Sequence, residues 1–321
     1  MQPQTTLLLA TTALCLLLLG IFSPALAILL GSIFLCCWLS YKNPRVALWV
    51  LLIYLPFGGT VTYWIGGGNP FFQFAKDFLY FPALISLIIS HRQQQLPRFI
   101  SKPLMLSLGL LLGFSLLTLI FVNGYQQFFE PPTNGQPLMM GILGLKVLVG
   151  YIPLIGCGYY LIRDRQELFV FNRLLVTITL ICCILSLAQY ELLATGICEG
   201  TRGLQGDDLF KGTLDAKCLV GGSLVFSPSQ NLVRLPGTFV SPWQWNWFLI
   251  SSAFFTATAA LFDPSKKWRI VSFTAIFLVL LAAIVSGQKL ALVFLPLILI
   301  ILFLATRNHW KKSKRLISVA I

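Results

Sequence analysis

Long apolar segments alternate with short polar segments along this chain. Ten segments are apolar over most of their length, and they lie at 6–22, 25–40, 46–57, 72–90, 103–122, 138–162, 169–194, 243–262, 269–286 and 290–305. Because a bilayer core needs about 20 apolar residues per helix, each segment predicts a membrane-spanning helix. The pattern as a whole predicts an all-α, polytopic integral membrane protein with about ten transmembrane helices. The third segment is short, and only Ser23-Pro24 separates the first two.

The distribution of basic residues predicts how these segments are oriented across the membrane. Of the 23 Lys and Arg residues, 16 fall in every second loop: Lys42, Arg45, Arg92, Arg98, Lys102, Arg163, Arg165, Arg173, Lys266, Lys267, Arg269, Arg307, Lys311, Lys312, Lys314 and Arg315. The other loops hold six, namely Lys76, Arg202, Lys211, Lys217, Arg234 and Lys289. Since short cytoplasmic loops are rich in Lys and Arg, the N-terminus is predicted inside and the large 196–242 loop outside.

Composition agrees with a membrane location. The chain is 57% hydrophobic and 10% charged, with a mean hydropathy of +0.84. Soluble domains carry about 25% charged residues, so a soluble globule is excluded. The net charge of +13 could suggest a nucleic-acid partner. Its cations are divided among short loops rather than gathered on one face, which argues against that partner.

Ala25-Leu26-Ala27 offers a competing interpretation of the N-terminus as a cleaved signal peptide. However, Met1–Thr6 carries no basic residue, and another apolar segment follows at once. A first transmembrane helix is therefore the favoured interpretation.

Two of the eight cysteines, Cys198 and Cys218, fall in the predicted outer loop. That compartment permits disulfides, so we expect a bridge between them, with two free thiols as the alternative. The other six lie in apolar segments without metal-ligand spacing, and neither a metal nor a cofactor is predicted.

Arg234 and Lys289 are predicted to lie at the outer ends of apolar segments. A cation there usually has an anionic partner, although a lysine can also extend harmlessly to the interface. Arg234 precedes a turn at Pro236-Gly237, and its planar fork suits phosphate oxygens. Gln288 immediately precedes Lys289. These residues predict an extracytoplasmic anion site.

Four further positions belong to this prediction. Lys146 lies about eight residues inside the sixth segment, where a lysine costs roughly 2–3 kcal/mol unless it faces a cavity or a partner. Lys76 and Asp77 would lie at the outer mouth of the same cavity. Arg202 is a cation of the outer loop, and a solvated surface charge is its alternative interpretation.

Trp243, Trp245 and Trp247 open the eighth segment. Tryptophan gathers at membrane interfaces, so an anchoring belt is the favoured interpretation and a sugar-stacking platform the alternative.

The sequence contains no Walker A loop, HExxH motif, CxxC pair or Gly-rich dinucleotide fingerprint. The acid–base candidates on the outer side are Glu130, Glu199, Asp207, Asp208 and Asp215.

Two short motifs of this sequence, one beginning at Arg234 and one ending at Lys289, resemble motifs of the O-antigen ligase and polymerase family. Arg234-Leu-Pro-Gly-Thr-Phe-Val-Ser-Pro242 is similar to the family's R-x-x-G-T-F-x-x-P stretch before a helix. Ser286-Gly-Gln-Lys289 is similar to its S-G-S-R-G at an outer helix end. The segment from Gly144 to Pro153 also looks like a family element, and the resemblance covers roughly residues 70–305. The residues of these motifs are most similar to those of cyanobacterial members of the family that act in exopolysaccharide synthesis.

The resemblance implies a multi-pass glycosyltransferase of the bacterial plasma membrane. Such an enzyme transfers a polyprenyl-diphosphate-linked glycan to an acceptor on the extracytoplasmic face and needs no metal. Its expected partners are the membrane lipid and other proteins of exopolysaccharide assembly. By this likeness Arg234 and Lys289 would hold the leaving diphosphate. From their positions in the sequence we expect Lys146 and Arg202 to be further cations of that site. A transporter or flippase subunit for an anionic substrate, or a non-catalytic scaffold, remains the alternative.

The chain differs from the family pattern near its end. Family members carry a later outer loop with a catalytic His and further helices, whereas residues 306–321 form a basic segment. That segment is expected to be a cytoplasmic tail or the start of a further part, which would make the chain a shortened or split member. Lys289 replaces Arg, which keeps the charge but loses the bidentate fork.

Overall fold

Helices make up most of the structure. The computed structural model describes residues 24–68, 72, 75–93, 102–129, 136–149, 152, 154, 157, 158, 162, 164–210 and 212–319. Its α-helices are α1 Pro24–Lys42, α2 Pro44–Tyr54, α3 Ala75–Gln93, α4 Lys102–Thr118, α5 Tyr125–Phe128, α6 Pro137–Val149, α7 Arg165–Ala194, α8 Pro242–Phe262, α9 Lys266–Val285 and α10 Lys289–Val319. Two short strands, β1 Val225–Ser227 and β2 Leu232–Arg234, form an antiparallel hairpin.

The helices confirm the prediction of an α-helical membrane protein. Within the described residues, five helical stretches are long and apolar enough to cross a membrane: Leu104–Phe128, Arg165–Ala194, Pro242–Phe262, Lys266–Val285 and Lys289–Thr306. Three shorter apolar helices are Leu30–Lys42, Pro44–Phe57 and Pro137–Lys146. The first predicted segment, 6–22, and most of 150–162 lie outside the described residues.

The chain divides into two compact units. The first comprises Met1–Leu48 and Leu79–Arg163. Within it, α4 continues through a wider π-helical turn, Leu119–Gly124, into α5, and α6 packs against that turn. The Asn123 side-chain amide donates to the Pro137 carbonyl at 3.1 Å, which fastens the turn to the start of α6.

The second unit comprises Trp49–Phe78 and Asp164–Ile321. In it α8 packs against α7, α9 and α10. Alanines line these contacts, among them Ala253, Ala257, Ala260, Ala282 and Ala283. Small side chains let helix backbones approach closely, which is how helices associate when lipid removes the hydrophobic driving force between them.

Helix α9 shows the inverted polarity of a lipid-facing helix. Ile270, Phe273, Phe277 and Ile284 share one face at helical spacing and are all exposed. The buried side instead carries Ser272, whose hydroxyl donates to the Trp268 carbonyl of its own helix at 2.7 Å. An apolar exposed face and a buried polar group satisfied within the helix fit a hydrocarbon surrounding.

An ion pair fastens α7 to the turn between α8 and α9. Arg173 donates from Nε and Nη2 to the two carboxylate oxygens of Asp263, each at 2.8 Å. Asp263 is buried and also accepts from the Ser265 backbone N–H at 2.8 Å. The Arg173 guanidinium, hydrogen-bonded to this carboxylate, holds the pKa of Asp263 below its usual range.

Replacing Asp263 by Asn should lower the free energy of unfolding by about 2–3 kcal/mol at pH 7, because it leaves a charged partner unpaired. A carboxylate with a depressed native pKa stabilises fully above its unfolded pKa of about 3.9 and loses that contribution as pH falls through the lower native value. The difference between wild type and Asp263→Asn should therefore shrink below about pH 4. Denaturant unfolding in detergent measures it, with exposed Asp215→Asn as the control, and a pH-independent difference would contradict the prediction.

Candidate functional site

The loop 196–242 is fixed to the helices at its base, and we call it the 196–242 loop. Cys198 and Cys218 form a disulfide with a Cα–Cα distance of 5.8 Å, the pairing that the sequence led us to expect. Gln189, fully buried near the end of α7, donates its side-chain amide to the carbonyls of Cys218 at 2.9 Å and of Gly237 at 3.0 Å. One amide thus joins two parts of the loop that are 19 residues apart.

The segment after α2 supports the Gly-Thr-Phe part of the loop. The buried Thr238 hydroxyl donates to the Pro56 carbonyl at 2.5 Å and lies 3.3 Å from the Cys182 sulfur. The Gly59 N–H donates in return to the Thr238 carbonyl at 3.0 Å. Two strong contacts in opposite directions fix Thr238 between segments that are far apart in sequence.

Gly237 and Phe239 pack this turn onto α8. Gly237 has a φ of +56°, and a Cβ there would lie 2.7 Å from the Trp245 ring, so only glycine fits. Phe239 packs on Trp245 and Phe248, with ring centroids 5.9 and 5.0 Å away. The Gly-Thr-Phe residues of the motif therefore have a structural role.

Arg234 stands on the hairpin beside this turn. It pairs with Val225 across the strands, and its Nη2 donates to Ser227 Oγ at 3.1 Å. Its Nε is buried and has no hydrogen-bond acceptor among the described residues. A buried N–H without a partner costs free energy, so this guanidinium retains binding capacity.

A cavity of about 300 Å³ adjoins Arg234. Its lining comprises Tyr63, Phe210, Gly212, Val225, Arg234, Val240, Ser241, Pro242 and Trp243, and we call it the Arg234 pocket. All of these residues belong to the second unit. The volume lies at the lower end of the usual range for small-molecule sites, about 300–1,000 Å³.

The electrostatics of the Arg234 pocket favour an anion. The first residues of α8 line it, and Ser241 caps that helix by accepting from the Gln244 N–H at 3.5 Å. A helix N-terminus carries partial positive charge, which adds to that of the guanidinium. In the described lining no carboxylate offsets these charges. Arg234 and the start of α8 thus form one positively charged wall.

Lys289 and Gln288 lie on the turn next to the hairpin. The Leu235 N–H donates to the Ser286 carbonyl at 3.4 Å, and a Cβ on Gly287 would lie 2.4 Å from Leu232. Gly287 also has a φ of +67°, so the turn and its close approach to the hairpin both require glycine. The two motif segments are therefore neighbours. Lys289 is exposed at the start of α10, and Gln288 is buried.

Arg202 occupies a different position. Its guanidinium lies 5.1 Å from the Phe226 ring centroid, and its Nη2 donates to the Asn231 carbonyl at 3.4 Å. With Glu199 and Val233 it lines another cavity, of about 350 Å³. Val233 and Arg234 are successive strand residues and point to opposite faces, so this second cavity adjoins the other side of the hairpin.

The remaining predicted cations fall in different units. Lys146 is half-buried in α6 of the first unit. Lys76 and buried Asp77 occupy the first turn of α3, and both belong to the second unit. Membership of a shared cavity with Arg234 stays a prediction for these three residues.

The three tryptophans separate into two kinds. Trp245 is fully buried in the helix core, so an interfacial belt does not describe it. Trp243 and Trp247 are exposed and meet edge to face, with ring centroids 5.7 Å apart. Of this pair, Trp243 lines the Arg234 pocket.

Among the described side chains, the acid–base candidates contribute no carboxylate to the lining of the Arg234 pocket. Glu199 and Asp215 are exposed, and neither belongs to the described lining. Glu130, Lys211 and the side chains of Asp207 and Asp208 lie outside what the structure describes.

Sequence reasoning missed two contributors to this region. Tyr63 reaches the Arg234 pocket from a π-helical turn, Thr60–Ile65, that lies 171 residues before Arg234. Gln189 is a polar residue near the end of the largely apolar segment 169–194. An uncharged amide in a membrane helix is a usable signal for Gln189, because it needs internal partners there. No local signal marks Tyr63.

Comparison of the chain with models of known protein families, with curated protein sequences and with solved structures finds no match. The geometry of the Arg234 pocket therefore carries the functional argument.

The disulfide should stabilise the loop that presents Arg234, because Cys218 packs with Leu224, Val233 and Leu235 under the hairpin. Replacing both Cys198 and Cys218 by Ala should lower the free energy of unfolding by about 3 kcal/mol, the value expected for closing a loop of this length. Thermal unfolding followed by tryptophan fluorescence measures the effect. Reductant should lower the Tm of the wild type and leave the double variant unchanged. Equal Tm values for the two proteins would contradict the prediction.

Proposed function

We propose that the Arg234 pocket binds the diphosphate of a polyprenyl-linked glycan and that the protein transfers this glycan to an acceptor outside the cytoplasm. The observation that carries the proposal is that Arg234, whose buried Nε has no acceptor among the described residues, lines a pocket together with the start of α8. Support also comes from the likeness of the two motif segments, which lie side by side, to those of O-antigen ligases and polymerases.

The transfer needs a site that stabilises the leaving group. The acceptor hydroxyl bonds to the anomeric carbon of the first sugar as the bond from that carbon to the diphosphate breaks. The hydroxyl proton passes to water or to the departing diphosphate, whose negative charge increases. In this proposal Arg234 and the α8 N-terminus stabilise that charge, which is usually the largest catalytic contribution. Lys289 is exposed on the neighbouring turn and adds a second positive charge, although it lacks the planar guanidinium that binds two phosphate oxygens at once.

The same proposal includes a topology and a location. The chain crosses the bacterial plasma membrane about ten times, with a cytoplasmic N-terminus, and works with other exopolysaccharide assembly proteins. The polyprenyl tail lies among the helices, and the glycan extends from the outer face. The basic loops support this orientation, because the start of α9 carries Lys266, Lys267 and Arg269 while Arg234 lies near the opposite end of α8.

Arg234→Ala should abolish most glycan transfer, a loss of about 100-fold or more, because it removes charge-assisted hydrogen bonds to the leaving group. Arg234→Lys should recover only part of the activity, since a point charge lacks the planar fork. Arg202→Ala is the matched control, because Arg202 belongs to the same loop but faces the other cavity. Transfer of a radiolabelled polyprenyl-linked glycan by purified protein measures these effects.

Three outcomes of that assay are informative. Wild-type transfer by stably folded Arg234→Ala protein would contradict the proposal. An equal loss in Arg202→Ala would place the diphosphate on the other side of the hairpin. Binding without any transfer by the wild type would favour a transporter or a scaffold.

Cysteine labelling tests the topology. A cysteine replacing Lys266 should react with a membrane-impermeant maleimide only after cells are permeabilised, because the α8–α9 turn is on the cytoplasmic side in this proposal. Asp215→Cys in the outer loop is the control that should react in intact cells. The background keeps only the disulfide-bonded native cysteines. Reaction of Lys266→Cys in intact cells would reverse the orientation.

A further inference from the structure

Three aromatic residues of the described part of the chain line the Arg234 pocket. Trp243 and Phe210, which are 59% and 62% exposed, line it together with Tyr63. We propose that this pocket is also a sugar subsite: it holds the pyranose ring directly attached to the diphosphate, with one face of the ring against Trp243. The inference rests on the proposed function and names the part of the substrate that the pocket distinguishes.

The chemistry of the lining matches a sugar better than a bare diphosphate. A diphosphate alone needs positive charge and N–H donors, which Arg234 and the start of α8 supply. Aromatic faces add nothing to that recognition. A pyranose ring presents an apolar C–H face together with hydroxyl groups, and the pocket offers flat rings beside the polar groups of Arg234, Ser241 and Tyr63. A mostly apolar lining with a few placed polar groups is the usual form of a small-molecule site.

The neighbouring tryptophan provides an internal comparison. Trp247 lies one turn further along α8 and is 49% exposed, so it is similar to Trp243 in chemistry and exposure. The described lining of the pocket includes Trp243 and not Trp247. An anchoring role at the membrane interface would apply to both residues. A role in the pocket applies to Trp243 alone.

The local backbone holds Trp243 in place before any ligand binds. Ser241 caps α8, and Pro242 occupies its first position, where the fixed φ of proline suits a helix start. A ring on a preformed helix loses little conformational freedom on binding, which favours affinity. The cavity of about 300 Å³ is small, so it accommodates the first sugar while the rest of the glycan extends beyond it.

Lipid binding to purified protein in nanodiscs tests the inference. The probes are a polyprenyl diphosphate without sugar and the same lipid carrying one glucose, galactose or N-acetylglucosamine. At least one sugar-bearing lipid should bind the wild type about tenfold more tightly than the sugar-free lipid, a gain within reach of one aromatic contact. Trp243→Ala should remove this gain without weakening binding of the sugar-free lipid. Trp247→Ala should keep the gain, and Arg234→Ala should weaken binding of every lipid.

A second pair of variants separates ring stacking from folding. Trp243→Phe should keep most of the gain, whereas Trp243→Leu, which has bulk without a flat ring, should lose it. Equal effects of Trp243→Ala and Trp247→Ala, or a wild type that binds no sugar-bearing lipid more tightly than the sugar-free one, would overturn the inference and leave the diphosphate site standing. Failure of the wild type to bind any of the lipids would instead overturn the proposed function, and the sugar subsite with it.

Discussion

The position of the 196–242 loop depends on one buried amide. Gln189 donates to the carbonyls of Cys218 and Gly237 from inside a membrane-type helix, where water is not available as a substitute partner. A hydrogen bond in such surroundings is electrostatically strong, and its loss leaves buried carbonyls unsatisfied. The disulfide closes the same part of the loop covalently. Together these contacts give a long polar segment a fixed position on the helices.

The residues of the Arg-x-x-Gly-Thr-Phe motif have two different roles on this fixed loop. Gly237, Thr238 and Phe239 are used in packing: against Trp245, against the segment around Pro56, and within the aromatic cluster of α8. Arg234 makes a single side-chain hydrogen bond within the described residues, to Ser227, and keeps a buried N–H without an acceptor. The packed residues therefore position the hairpin that carries Arg234, and the proposed function assigns the chemistry to the Arg234 guanidinium.

The sequence predicted those features of the structure that depend only on residues close together in the chain. Apolar length located the helices α7 to α10, because the bilayer requirement acts on each segment separately. The presence of Cys198 and Cys218 in one predicted outer loop, in a compartment that permits disulfides, was sufficient to propose their bridge. The start of α8 at Pro242 follows from a proline at the first helical position and a serine cap.

Contacts between distant segments could not be predicted in this way. The bond from Thr238 to Pro56 joins residues 182 positions apart, and nothing near Pro56 indicates its partner. Tyr63 enters the Arg234 pocket through the same distant segment. The tryptophan triplet was ambiguous because burial separates Trp245 from its neighbours, and burial depends on how α8 packs against other helices. The likeness to glycan ligases pointed to Arg234, whereas the pocket walls follow only from the fold.

The most direct test is an electron cryomicroscopy structure of the protein with a bound polyprenyl diphosphate. The account predicts density for the diphosphate in the Arg234 pocket, with a phosphate oxygen about 2.7–2.9 Å from a guanidinium nitrogen of Arg234 and close to the start of α8. Diphosphate density elsewhere, for example beside Arg202 on the other side of the hairpin, with Arg234 still bonded only to Ser227, would contradict it.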